Sequence, residues 1–349
     1  MAYKNLHSIV SIGGGTGLSC LLRGLKNGVL DPPVIEAPIF EPWIKRLTAV
    51  VTVSDDGGSS GRLRDELRML PPGDIRNCMV ALSADESLLS HLFQYRFPGS
   101  GQLHGHSFGN LFLTALTGVT GDFLEAVRVS SDVLAIKGRI FPATLHDVRL
   151  EAVLDNGDRL QGESAISKSR SRIVSLALSP PDCRPVPAVI EAIRSADLIT
   201  VGPGSLFTSL LPNLLVPGIV NALRKSSAIK IYISNLMSQP GETTGFSAAD
   251  HVAAIYDHTG DRLFHWIILN NQPIPRTVLA RYRREAALPV VSDFQRIAAL
   301  GLAVFEDALL ARGRVVRHDP DLLAKAVHKT FHSWQAAGKR VREETAPRP

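Results

Sequence analysis

The chain predicts a doubly wound α/β fold: a mostly parallel, Rossmann-like sheet with helices on both faces and a small β-hairpin insertion. Three observations carry that prediction. Ile9-Val10-Ser11-Ile12 runs into Gly13-Gly14-Gly15-Thr16-Gly17, a strand entering a glycine loop and then an apolar-periodic stretch. Leu198–Val201 followed by Gly202-Pro203-Gly204-Ser205 repeats the design. Across much of the chain, apolar strands alternate with helical segments, which implies a parallel sheet covered on both sides.

A first strand, His7–Ile12, leads to an amphipathic helix through Leu18, Leu21, Leu22 and Leu25. Asp31–Lys45 holds four prolines and reads as an irregular excursion. A second strand, Leu47–Val53, ends at Ser54-Asp55-Asp56-Gly57-Gly58-Ser59-Ser60-Gly61. Helices are expected near Asp74, over Leu88–Tyr95 and over Ser107–Leu116, and Asp122 is placed as the N-cap of a helix to Leu134. Val148–Leu154, the turn Asp155-Asn156-Gly157-Asp158 and Arg159–Gly162 form the hairpin, because Asn-Gly favours tight turns with positive φ. Ile173–Leu178 is another strand, set off by the proline-rich stretch Pro180–Pro187.

Alternation then resumes. Helix Ala188–Arg194, strand Leu198–Val201, a helix after Gly204, helix Ile219–Leu223 and strand Ile229–Ser234 follow in turn. Helix Ala248–Asp257, strand Trp266–Leu269, a strand near Val315–Val316 and helix Asp321–Phe331 complete the pattern. The expected organisation is one domain over residues 1–335, with the hairpin insertion near 145–180 and a flexible basic tail over 336–349.

Composition narrows the class. The chain has 349 residues, 45% hydrophobic and 20% charged, as ordinary globular proteins do. No apolar run reaches the ~18 residues of a membrane helix. The start leads straight into a strand without a signal-peptide pattern, so the expectation is a cytoplasmic protein with no membrane insertion. The three cysteines stand far apart without metal-ligand spacing, as thiols in a reducing compartment do. A net charge of +5 suits anionic ligands. Without a pattern of aromatic and basic residues it argues against nucleic acid.

Four polar, glycine-rich segments fall at predicted strand ends: Gly13–Gly17, Ser54–Gly61, Gly202–Ser205 and Asn235–Thr243. Ligands of such sheets bind outside the carboxyl ends of the strands, and glycine loops opening helices hold phosphates through backbone N–H groups. Position 18 is Leu where a dinucleotide fingerprint wants glycine, and no Gly-Lys-Ser/Thr follows, which disfavours a nicotinamide dinucleotide and a Walker loop. Asp55 and Asp56 suit sugar hydroxyls or magnesium, or else form turns with nearby backbone N–H groups. Arg62, Arg64 and Arg76 can pair phosphate oxygens. His104, His106, Ser107 and Asn110 form a polar cluster heading an apolar helix, and Asn235, Gln239, Glu242 and Thr243 can hydrogen-bond a base or sugar. Ser205 and Thr208 could instead cap the helix they precede. No nucleophile can be assigned.

These motifs resemble the bacterial gluconeogenesis factor family. The resemblance rests on Gly13–Leu18, Ser54–Arg64, Pro72-Gly73-Asp74-Ile75-Arg76-Asn77, Gly105–Asn110, Gly202–Asn213 and Asn235–Thr243, in order from about residue 7 to 330. That family belongs to the superfamily of 2-phospho-lactate transferases. The resemblance implies a Rossmann-like regulator that binds a nucleotide sugar such as UDP-N-acetylglucosamine. Its role would lie in cell shape and cell-wall balance on gluconeogenic carbon, without a required cofactor or an established reaction. Its implied ligand contacts are Gly13, Gly14, Gly15, Thr16, Gly17, Asp55, Arg62, Ser107, Asn110, Gly202, Pro203, Gly204, Ser205, Asn235 and Gln239. A regulatory protein partner and a homodimer are further expectations. The alternative is a magnesium-dependent transferase acting on a nucleotide-linked donor, with Asp55 and Asp56 at the metal.

Overall fold

Aliphatic and β-branched runs build the central sheet. The computed structural model describes residues 6–30, 42–84 and 88–345. Its strands are β1 (His7–Gly13), β2 (Ile44–Val51), β3 (Arg139–Pro142), β4 (Arg149–Leu154), β5 (Arg159–Gln161), β6 (Ile173–Ser179), β7 (Leu198–Val201), β8 (Ile229–Ile233), β9 (Trp266–Asn270) and β10 (Ala303–Asp307). Seven of them form one sheet in the order β10-β9-β8-β7-β1-β2-β3. Every neighbouring pair in it is parallel. Every residue of β7 and β8 is buried, as strands covered on both faces must be.

The strand order places the ligand crevice. From β1 the chain winds outward through β2 to β3, and from β7 it winds the opposite way through β8 and β9 to β10. The reversal lies between β1 and β7, where Ile12 pairs with Val201. Right-handed crossovers on either side of that reversal send their helices to opposite faces and leave the C-terminal ends of β1 and β7 open.

Helix Gly15–Leu25 buries Leu18, Leu21, Leu22 and Leu25, each worth about 2 kcal/mol when removed from water. It lies against helices Gly73–Leu82 and Pro320–Thr345. Helices Pro187–Arg194 and Ile219–Lys225 pack together, as do Ala248–Thr259 and Phe294–Ala299. Caps follow the sequence signals. The Asp122 side chain accepts from the Glu125 N–H, and Ser247 forms a capping box with Asp250. Among the described residues, no single helix is long and apolar enough to cross a membrane.

Several elements differ from the sequence expectation. The predicted hairpin is two strands of a three-stranded antiparallel sheet, β5-β4-β6, with helix Glu163–Lys168 between β5 and β6. No strand covers Val315–Val316; among the described residues the last strand is β10. Val316 donates its N–H to the Tyr282 hydroxyl instead of a ladder, and Val315 is exposed. β10 escapes sequence reading because it is a sheet edge, where exposed and half-buried residues blur the apolar run. β3 is short and ends in proline, and helix Gly58–Leu67 is polar and glycine-rich, so both read as loop. Ser107 caps its helix, which runs Phe108–Thr120. The segment after Gly204 begins as a wide π-type turn, Leu206–Leu210, before helix Leu211–Leu214.

Residues 31–41 of the proline-rich excursion lie outside the described residues, while Ile44 and Lys45 already belong to β2. The C-terminal helix reaches Thr345, so helical backbone occupies much of the stretch expected as a tail, and 346–349 lie outside the described residues.

The helix pair beside β1 tests this packing. A Cβ on Gly24 would overlap the Pro320 carbonyl oxygen and approach the Ala324 Cβ to 2.9 Å. Gly24→Ala is therefore expected to lower unfolding free energy by about 1–3 kcal/mol, despite alanine's higher helix propensity. Urea denaturation checks this, and a variant at least as stable as the parent refutes the close approach.

Candidate functional site

The two glycine loops meet at the sheet reversal. A Cβ on Gly17 would overlap the Pro203 carbonyl and stand 3.0 Å from the Gly204 nitrogen, so only glycine allows this backbone-to-backbone approach. Gly202 has φ +89° and is joined to Pro203 by a cis peptide bond. The Asn235 side-chain amide grips Gly204 at both ends. Its Oδ1 accepts from the Gly204 N–H at 3.1 Å, and its Nδ2 donates to the Gly204 carbonyl at 2.9 Å. Asn213 donates to the Gly13 carbonyl at 3.0 Å and to the Ser209 carbonyl at 2.7 Å, tying β1's end to the segment after β7. Gln239 donates to Ser205 Oγ at 2.6 Å, while its Oε1 is buried without a partner among the described residues. The first-turn N–H groups of Thr16 and Gly17 point out of the helix start, where no helical carbonyl reaches them.

An acidic group lines the next part of the crevice. Asp74, in the first turn of helix Gly73–Leu82, accepts from the Gly15 N–H at 2.8 Å. Burial pushes its carboxyl up to about 6, against the lowering effect of that hydrogen bond. Asp55 accepts from the Gly57 N–H at 2.8 Å, and Asp56 from the Ser164 N–H at 2.8 Å. Glu163 is pushed up to about 9 by burial first, then by the charges of Asp55, Asp74, Glu242 and Asp56. Glu242, raised by burial, accepts from the Phe207 N–H and from the hydroxyls of Thr208 and Ser167. Four strand-end segments thus converge with helix Glu163–Lys168 of the insertion.

A third network adjoins the acids through helix Gly58–Leu67. Ser59 Oγ lies 2.9 Å from His106 Nδ1 and accepts from Asn110 Nδ2 at 3.1 Å. Either partner of the Ser59–His106 bond can donate, as the imidazole tautomer dictates, because the hydroxyl has a lone pair for Asn110 in both cases. Burial lowers the His106 pKa, reinforced by Arg62, which agrees with a neutral ring. Arg76 donates to Ser107 Oγ at 2.5 Å and to Asn77 Oδ1 at 2.6 Å, leaving its Nε unpartnered among the described residues. Asn110 Oδ1 is likewise buried without a partner there. Arg62 donates to the His104 carbonyl at 2.5 Å.

Several residues singled out in the sequence meet in these networks, but not all are free for a ligand. Asn235 spends both amide ends on Gly204 and acts as a clamp. Arg64 turns away, buried, to the Val148 carbonyl and Asp147. Ser205 forms no side-chain cap, and Thr208 bonds Glu242. Glu163 was not legible, because it comes from the insertion and no motif marks it. Ser59 and Asp74 stand inside the quoted motifs, yet their partners His106 and Gly15 are 47 and 59 residues away. Among the described residues, no group of three or more His, Cys, Asp or Glu side chains is arranged to hold a metal ion.

The raised carboxyls make stability pH-dependent. Each has a folded value above its unfolded one (about 3.9 for Asp and 4.3 for Glu). Their contribution is fully present in acid and is lost as pH rises, through about 6 for Asp74 and about 9 for Glu163. Unfolding free energy is expected to fall between pH 5 and pH 8 for the parent chain. Asp74→Asn with Glu163→Gln should flatten that fall in urea titrations, and an unchanged slope would place the effect elsewhere.

With this geometry in place, likeness to known proteins fixes the lineage. The family model 2-phospho-L-lactate transferase CofD matches residues 9–310. A gluconeogenesis factor from Bacillus subtilis is 46% identical over 317 residues, 90% of this chain and 95% of the relative. A gluconeogenesis factor from Halalkalibacterium halodurans is 45% identical over 92% of this chain and 95% of its own length. A crystal structure from Bacillus halodurans superimposes with a TM-score of 0.86 at 45% identity, covering 93% of this chain and 100% of the other. A second, described as a member of the UPF0052 family, gives 0.85 with the same identity and coverage. The paired glycine loops, the doubly wound sheet and these similarities agree: the chain belongs to the CofD family, among its gluconeogenesis factors.

Proposed function

We propose that this protein is a cytoplasmic regulator that binds a nucleotide sugar of the UDP-N-acetylglucosamine kind and links gluconeogenic carbon supply to cell-wall synthesis and cell shape. The observation that carries the reading is the abutment of two glycine loops at the sheet reversal, Gly17 against Pro203–Gly204. Two helix-opening loops side by side suit the two phosphates of a nucleoside diphosphate. The N–H groups of Thr16 and Gly17 would face one phosphate, with Ser205 and Gln239 beside the other. Asp55 would accept from sugar hydroxyls. Asn235 would act through Gly204, holding its peptide in the receptive orientation. Arg62, Ser107 and Asn110 would close the far side of the ligand. A protein partner would read the ligand-bound state, since a ligand shifts a conformational balance only by its differential affinity. A homodimer fits this reading.

The acidic group favours a second reading, a transferase of the 2-phospho-L-lactate transferase type. Asp55 and Asp56 each keep one carboxylate oxygen beyond their backbone bond, and magnesium is commonly held by one or two carboxylates with substrate phosphates and water. When bound there, the ion would neutralise charge on the donor's diphosphate as a nucleoside monophosphate leaves. The chain's own loops would hold that group in place.

Calorimetric titration with UDP-N-acetylglucosamine, UDP and NAD, with and without magnesium, separates the two. The regulator predicts selective binding of the nucleotide sugar without product. Asn235→Ala should weaken that binding by roughly tenfold or more, as loss of oriented hydrogen bonds does. Asp55→Asn should alter affinity alone under the regulator and abolish magnesium-dependent turnover under the transferase. Absence of sugar preference overturns the first reading.

A further inference from the structure

Two adjoining segments carry exposed arginines without an ion-pair partner among the described residues, although the exposed Glu285 follows the first of them. Helix Arg276–Arg284 reads Arg-Thr-Val-Leu-Ala-Arg-Tyr-Arg-Arg and buries none of its residues completely. Its half-buried Val278, Leu279 and Tyr282 leave Arg276, Arg281, Arg283 and Arg284 exposed. The Tyr282 hydroxyl accepts from the Val316 N–H at 2.9 Å, which brings the segment carrying Arg312, Arg314 and Arg317 alongside. All seven arginines are exposed. None has an ion-pair or side-chain hydrogen-bond partner among the described residues. Arg296 nearby differs, because Asp250 and Asp293 hold it.

Exposed apolar side chains accompany this charge. Leu288 and Val291 follow the helix in the chain, Phe294 opens the next helix, and Val315 sits between Arg314 and Val316. Unpaired like charges repel and destabilise the fold that collects them. Exposed apolar groups gain nothing from water. Neighbouring segments that present both are suited to a partner that supplies many anions beside an apolar layer.

We propose that this face adsorbs to an anionic phospholipid surface, peripherally and without a spanning segment. The arginines would meet headgroup phosphates, while Leu288, Val291, Phe294 and Val315 would enter the boundary between headgroups and acyl chains. Three of those four are aliphatic. A polynucleotide would instead call for aromatic faces on which bases stack. The helix's own aromatic, Tyr282, is half-buried with its hydroxyl engaged. The proposal stands independently of the nucleotide-sugar reading.

A backbone link joins this face to the crevice. Val290 donates its N–H to the Leu236 carbonyl at 3.1 Å, and Ser238 donates its N–H to the Leu288 carbonyl at 2.7 Å. The segment between Arg284 and Val291 is therefore hydrogen-bonded to the stretch that bears Asn235 and Gln239.

Co-sedimentation with phosphatidylcholine vesicles, with and without phosphatidylglycerol, tests the proposal at low and high salt. The expected result is binding that requires phosphatidylglycerol and weakens with salt. Arg281→Glu, Arg283→Glu and Arg284→Glu together should weaken it on the order of 100-fold or more. Val291→Ser with Phe294→Ser should weaken it roughly tenfold at unchanged charge. Should the triple variant fail to fold by circular dichroism, Arg312→Ser with Arg314→Ser supplies the same comparison. No binding, equal binding to both vesicle types, or full binding by the charge variants overturns the proposal. So does displacement of the protein from vesicles by an equal charge of single-stranded DNA or polyglutamate, which would assign the surface to those polyanions.

Discussion

The close approach of Gly17 to the Pro203–Gly204 peptide is the constraint around which the crevice is built. Two strands that diverge in winding direction end side by side, and their loops can touch only if no side chain stands between them. Once they touch, their peptides need fixed orientations. Asn235 supplies that for Gly204, Asn213 for Gly13, and Asp74 for Gly15. Each clamp comes from a different segment, so the loops are positioned by the assembled fold and not by their own sequences.

Electrostatics in the crevice divides into two halves. On the side of helix Gly58–Leu67, Arg76 and Arg62 surround a neutral hydroxyl–imidazole–amide chain. On the other, burial raises Asp74, Glu163 and Glu242, and neighbouring carboxylates raise Asp74 and Glu163 further. A cleft that gathers like charges in low dielectric spends folding stability, and such concentrations occur at functional sites more often than elsewhere. Protonated at neutral pH, Glu163 can donate a hydrogen bond as well as accept one, which widens the range of hydroxyl-bearing ligands that fit beside the loops.

Much of this was legible in the chain. The strand-loop-helix units at Gly13 and Gly202, the cap at Asp122, and the alternation from Ala188 onward all express local rules of period and turn chemistry. Local rules failed where an element is defined by its neighbours. β10 is a strand because β9 lies beside it, and its own residues do not alternate cleanly. Helix Gly58–Leu67 looks like a loop until its Leu63 and Arg64 are seen buried. Val315–Val316 has strand-like residues but no partner strand.

The sequence by itself determined the fold class, the glycine loops and the set of polar segments at strand ends, because backbone conformation and hydrophobic period are local properties. Tertiary structure alone decided which polar groups are free and which are spent. Asn235 reads as a ligand contact until Gly204 is found between its two amide atoms. Glu163 belongs to no sequence motif, and only the folded insertion carries it in among four other carboxylates. Pairing and desolvation depend on distances across the fold, and no local pattern encodes them.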